Sequence, residues 1–474
     1  MLRQRPPWSA VAGWARPSWH SRNVGLVLWA RVAMSAGRSL AGVLAPIYLA
    51  LEGFSGLDLA AYVLVVAAAS AILSMLTGSL SDQVGRRPFL VALPLVTALA
   101  AVSFAFSRSP ALLFATGALG SFGRGSGAGA GAVGPYLPAE SAFITESVPS
   151  RHRNAAFGRL SFASSLGALA GSLLALLAPS AHVHGAAATA AYRAGFLAAA
   201  AASAAAGLIA LGLSEPRRSR PATPPAGDGR PGARAAAGAG AARPPVRTGW
   251  PRMPRRSRWL LRRLWVTNAL NGIAVGMFGP FITYWFFRRF GAGPGHVGLL
   301  FAAINAATMF SALSAARLAR RWTLVGTVAV VRAAQALLIV PMVLAPGFAV
   351  AGLVYFVRMI VQRIGMPLRQ SYTLGLADPA ERGAVAAMSN VPSQLAMAAS
   401  PLLTGYLIDE VSLALPFEVA AAFQFLNATA FWAFFRRHPP EEERARPGPA
   451  PQAARGPGRP APHPAARPRP GRRP

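Results

Sequence analysis

The sequence predicts an all-helical integral membrane protein, with twelve transmembrane helices arranged as two six-helix pseudo-repeat bundles. Three observations carry that prediction. Of the 474 residues, 53% are hydrophobic and only 13% are charged, about half the roughly 25% charged share of a soluble domain. Apolar runs of about twenty residues recur along most of the chain, each long enough to cross a hydrocarbon core of about 30 Å. Two sets of six such runs carry matching features at a nearly constant offset.

The elements follow in order. Residues 1–23 form a cytoplasmic tail containing Pro and Trp. The apolar run after it is too long for a cleavable signal and carries Arg31 and Arg38. Six spans fall near 24–51, 57–79, 89–107, 110–135, 155–178 and 189–213, giving an N-terminal bundle over 24–213. Residues 214–263 are rich in Pro, Gly and Arg without aliphatic periodicity, and read as a disordered cytoplasmic linker. Six more spans near 264–287, 297–318, 322–344, 347–367, 384–408 and 412–435 give a C-terminal bundle over 264–435. The Arg/Pro-rich residues 436–474 read as a disordered cytoplasmic tail. Trp285, Phe286, Phe287 and Trp432 lie toward span ends and read as an interfacial belt.

The net charge is +32, and every basic residue is an arginine. These arginines sit mostly in short loops and tails, with no soluble basic domain, so nucleic acid is excluded as a partner. Placing the N-terminus inside puts most of them on the cytoplasmic side and leaves Arg108, Arg193, Arg288 and Arg289 outside. The positive-inside rule therefore puts both termini in the cytoplasm and the protein in the inner (plasma) membrane, where it can rest on anionic lipids. There is no cysteine, which removes disulfides, thiolate metal sites and thiol nucleophiles. The seven histidines lie in loops or tails. No metal site, cofactor or catalytic constellation is indicated, and an enzyme is not expected.

The two halves match in detail. Arg86-Arg87 after the second span corresponds to Arg320-Arg321 after the eighth, and Arg124 in the fourth span to Arg358 in the tenth, both at an offset of 234. The stretch after the fourth span, PAESAFITESVPSRHRNAAFG, reads as a loop and resembles the one after the tenth. Duplicated six-helix halves are a transporter architecture, with the binding site between them near the midplane.

Between spans two and three the chain reads Gly78-Ser-Leu-Ser-Asp82-Gln-Val-Gly85-Arg86-Arg87-Pro88. Gly78 permits close backbone approach and Gly85 a tight turn. Asp82 suits the positive N-terminus of another helix, and the arginines can pair with acids such as Glu146. This stretch resembles the signature loop of the major facilitator superfamily, GxLaDrxGRrp. The resemblance implies that Asp82 meets the start of span eleven, near Gly383, and latches the halves together on the cytoplasmic side. The second-half counterpart has Ala316 where the acid belongs. Leu119, Arg124, Gly125 and Gly129 resemble an antiporter motif of the same superfamily, with Gly127 and Ala128 replacing the usual Gln and Gly. Gly158, Gly167 and Gly171 resemble another, in which Ser172 replaces the proline. Both also read as small-residue helix packing.

Five arginines fall within spans. Arg31, close to the cytoplasmic end, can snorkel to the interface. Arg38, Arg124, Arg332 and Arg358 lie near mid-span, where each costs about 2.5–3.5 kcal/mol if exposed to lipid, so they need partners or a wet cavity. No acid is placed at a clear midplane position. Arg38, with Asn268, Asn271, Asn390 and Gln394, forms the candidate substrate cavity. Arg124, Arg332 and Arg358 are candidates for coupling or scaffold. The expected function is secondary active transport of a small organic solute by alternating access, as a monomer, with proton-linked efflux of an amphipathic compound leading. The alternatives are an organic-anion exchanger or uptake permease using Arg38 and Arg358, driven by a counter-anion, or a non-transporting membrane sensor or scaffold.

Overall fold

The computed structural model describes residues 21–123, 134–178, 186–215, 257–321, 324–376, 385 and 388–437. The helices in the first half are α1 (Arg22–Leu51), α2 (Gly56–Val84), α3 (Arg87–Phe106), α4 (Pro110–Gly120), α5 (Tyr136–Ser147), α6 (Arg153–Leu174) and α7 (Ala186–Leu211). Those in the second half are α8 (Arg258–Phe278), α9 (Ile282–Phe290), α10 (Pro294–Arg321), α11 (Leu324–Leu337), α12 (Ile339–Val343), α13 (Phe348–Leu376), α14 (Val391–Glu410) and α15 (Leu415–Phe435). Each expected span except the fourth overlaps a helix or a consecutive pair along most of its length. Among the described residues, seven helices are long and apolar enough to cross a membrane.

Local chemistry sets the helix starts. The Ser21 hydroxyl accepts the Val24 N–H at the head of α1. Ser55 and Asp58 form a capping box at the head of α2, each side chain taking up the other residue's backbone N–H. Pro at the first or second position opens α3, α4, α14 and α15, where its missing N–H would have had no helical partner anyway.

Packing repeats between the halves. In the first, α1 lies against α6 and α7, and α3 against α7; in the second, α8 lies against α14 and α15, and α11 against α15. Both thus pair their first span with their fifth and sixth, and their third with their sixth. The halves meet through α2 with α14 and α6 with α10, which are equivalent pairs under the repeat. One apolar core runs through both halves and includes Tyr48, Phe104, Phe196, Phe278, Trp285, Tyr355 and Phe417.

The structure corrects three expectations. The fourth span is not one helix over 110–135: α4 ends at Gly120, Ser121 and Gly123 take positive φ, and Gly134 does so again before α5. Much of the expected loop after it, from Pro138 to Ser147, is helix α5. Ser121 and Phe122 are buried, which satisfies the rule that broken backbone at membrane depth must be enclosed by protein or line a cavity. Secondly, Trp285 and Phe286 do not belong to an interfacial belt; they are buried, with the Trp285 ring 5.3 Å from that of Phe417. Thirdly, the edges of the expected linker are folded. Asn23 Nδ2 donates to the Ser214 carbonyl at 2.9 Å, Ser214 N–H returns a bond to Asn23 Oδ1, and α8 starts at Arg258. The rest of that linker and both expected tails lie outside the described residues, except for Ser21 to Asn23 and for Arg436 and Arg437.

Candidate functional site

The first cluster is built on the turn between α2 and α3. Gly85 holds φ +114 there, and a Cβ on it would lie 3.0 Å from Glu215 Oε1, so a side chain would be both strained and crowded. The Glu215 carboxylate accepts the Arg86 N–H at 2.6 Å and the Arg87 N–H at 3.0 Å. It thereby satisfies orphan donors at the start of α3 and places negative charge at the positive helix end. Arg87 Nη2 reaches the Leu211 carbonyl at 2.8 Å. The Arg86 side chain donates to Ser81 Oγ at 2.8 Å and Glu146 Oε1 at 3.1 Å, and pairs with Asp82. Burial works against its charge, yet the bonds to Asp82 and Glu146 outweigh it and raise the guanidinium pKa above the ordinary value. The Asp82 side chain is 63% exposed. Gly78 is half-buried, nearest to Pro138 of α5 at 3.9 Å. Gly383, the expected neighbour of Asp82, lies outside the described residues.

The second cluster lies inside the first half. Arg31 does not snorkel. Its Nη2 sits 2.7 Å from Glu140 Oε2, with the side chains 5% and 0% exposed. Glu140, read as a loop residue in the sequence, is thus a fully buried acid on α5. Arg38 is buried as well, and Gly134 leaves no room for a Cβ against its guanidinium, where the chain turns into α5. Arg31, Ser35, Arg38 and Ser39 share one face of α1, spaced i, i+4, i+7 and i+8. The Ser35 hydroxyl meets Ser164 at 3.3 Å, and Ser39 meets Ser172 at 3.0 Å. Asn305 of α10 donates to the Ser172 hydroxyl at 3.4 Å, which carries the polar track across to the second half. Arg124 lies outside the described residues.

The third cluster joins α8, α11 and α15. Buried Arg332 donates to Asn427 Oδ1 at 2.6 Å, with its guanidinium 4.9 Å from the Phe431 ring centre. Asn427 Nδ2 reaches Asn271 Oδ1 at 3.5 Å. Asn268 is buried and donates to the Ser389 carbonyl at 2.7 Å, beside the start of α14. The two asparagines of α8 therefore serve different neighbours. Arg358 lies 3.9 Å over the Phe278 ring and donates to the Gln335 carbonyl at 3.3 Å. Asn390 and Gln394 are exposed, and the geometry does not join them to the other candidates.

The sequence profile of the Major Facilitator Superfamily matches residues 27–357 and 264–470. The chain belongs to the major facilitator superfamily. No curated protein sequence matches it. Among solved structures, it is similar to a bacterial homolog of the human lysosomal transporter Spinster in an inward-facing, occupied conformation. The TM-score is 0.64 at 14% identity, covering 91% of this chain and 98% of that one. An auto-inhibited peptide transporter of the POT family gives 0.63 at 15%, covering 88% and 97%. The inward-open xylose transporter XylE from E. coli gives 0.61 at 13%, covering 86% and 95%. At these identities the likeness is one of fold. Membership makes this a multi-pass membrane protein and a secondary transporter working by alternating access, rather than an enzyme.

Sequence reasoning within the superfamily missed Glu140, Glu215 and Asp409. Glu140 was findable by asking which acid could neutralise Arg31, had PAESAF been read as helix. Glu215 begins a Pro/Arg-rich stretch, and nothing local marks it as a cap for α3. Asp409 of α14 accepts the Gly56 and Leu57 N–H groups at 2.8 Å each, a partner 353 residues away.

Proposed function

We propose that the protein exports small amphipathic organic compounds from the cytoplasm in exchange for protons. The observation that carries this reading is the buried Arg31–Glu140 pair. Glu140 is an acid whose protonation must break an ion pair inside the membrane, where ion-pair strength is high. A proton arriving on Glu140 from outside would release Arg31 as the substrate leaves, and loss of that proton to the cytoplasm would let the pair re-form before the next substrate binds. On this reading the Arg86 end faces the cytoplasm, residues 24–213 rock against 264–435 as a monomer, and the basic segments rest on anionic lipid.

Proteoliposomes with a trapped pH dye test it. Adding a lipophilic dye cation should move protons with the wild type. Glu140→Gln should abolish that movement while the dye still raises the unfolding temperature. Proton movement that survives in Glu140→Gln would overturn proton linkage through this residue.

A second reading, carriage of an organic anion, draws on Arg38. Its guanidinium stands where the chain enters α5, so two positive features adjoin. A thermal shift produced by organic anions and lost in Arg38→Ala would favour it over the first.

A further inference from the structure

We propose that Asp409 is a latch that closes the Gly56 end of the transporter and must release in each cycle. The inference is independent of what is carried and of the coupling ion. Asp409 is the penultimate residue of α14, at the negative end of its own helix dipole, where an acid is disfavoured. That placement is offset by another helix. Its two carboxylate oxygens accept the Gly56 and Leu57 N–H groups at 2.8 Å each, at the first turn of α2. Those N–H groups have no intrahelical acceptor, and a charged acceptor makes the bonds stronger than neutral ones.

The backbone is shaped to allow it. A Cβ on Gly405, one turn before Asp409, would lie 2.7 Å from the Leu57 Cα and 2.8 Å from the Ala60 Cβ. A Cβ on Gly56 would lie 2.8 Å from Asp409 Oδ1. Two glycines therefore let α14 descend onto α2 until the carboxylate reaches the amides. Leu57 and Gly56 belong to the first half and Asp409 to the second, so relative motion of the halves at this end breaks both bonds together. The equivalent interface, α6 with α10, is bridged deeper in the helices by Asn305 on the Ser172 hydroxyl, a neutral contact. Among the described residues the charged closure belongs to α2 and α14.

Two neighbouring acids provide controls. Asp58 caps the same first turn of α2 but only from within, through Ser55. Glu410 ends the same helix and, like Asp409, is exposed, but no hydrogen bond ties it to α2 among the described residues. The chain has no cysteine, so spin labels can be placed freely. One pair, Leu177→Cys with Leu344→Cys, sits on exposed positions of the two halves at the Gly56 end; a second, Val84→Cys with Arg437→Cys, sits at the Arg86 end. Pulsed electron-spin distances are then measured in the full-length protein in nanodiscs.

Asp409→Asn, which keeps one acceptor, and Asp409→Ala, which keeps none, should raise the long-distance population of the first pair in that order. The full loss should reach about tenfold, as expected for charged hydrogen bonds. The second pair should shorten in step, which local fraying of α2 would not cause. Asp58→Asn and Glu410→Gln should leave both distributions at wild type. An unchanged distribution in Asp409→Ala, or an equal shift in Asp58→Asn or Glu410→Gln, would overturn the latch.

Discussion

Glu215 holds Arg86 by the backbone while Glu146 holds it by the side chain, at 2.6 Å and 3.1 Å. The signature turn is thus clamped from both sides by acids outside it. Replacing Glu215 with alanine strands two amide donors at the start of α3. We expect a loss of about 1 kcal/mol, as for other helix caps, read as a lower unfolding midpoint in detergent. Glu215→Gln, which keeps an acceptor, should lose less.

Arg31 and Glu140 should show the asymmetry of buried ion pairs. Glu140→Leu removes the carboxylate facing the buried Arg31 guanidinium and should cost about 3 kcal/mol. Adding Arg31→Met should recover most of that stability, because both charges are then gone. Proton-linked transport should not return in the double variant. Recovery of transport would show that the pair is structural.

Asn427→Leu should behave similarly in the second half. It removes the 2.6 Å acceptor of Arg332 and the contact to Asn271, and should cost about 2 kcal/mol, as for a lost hydrogen bond to a charged group. Adding Arg332→Met should restore the unfolding midpoint. A midpoint unchanged in Asn427→Leu would mean that the Phe431 ring suffices to hold the charge.

Asp82→Asn should loosen the Arg86 end. The check is maleimide labelling of single cysteines from each side of the membrane, with reactivity expected to rise on the Arg86 side and fall on the other if the residue holds the halves together there. An unchanged pattern would confine Asp82 to its bond with Arg86.

Much of the fold was legible because hydrophobic run length is a one-dimensional signal. The glycines and arginines of the signature turn were legible because the turn is local in sequence. What escaped depended on partners distant in the chain. Arg31 lies 109 positions from Glu140 and Asp409 lies 353 from Gly56, and no periodicity encodes such pairs. The fourth span misled for a different reason: its hydropathy runs on past Gly120, while Ser121 and Gly123 take positive φ and end the helix there. Asn268 and Asn271 share a helix face yet bond to different segments, since a shared face does not determine which neighbour each residue meets.

The broken fourth span also bears on how the chain is made. Eleven residues of α4, at 1.5 Å each, reach about 17 Å, well short of a hydrocarbon core of about 30 Å. During synthesis this segment is a poor candidate for leaving the translocon alone. The helices it packs against, α2 and α3, precede it in the chain, so they stand ready to receive it as it emerges.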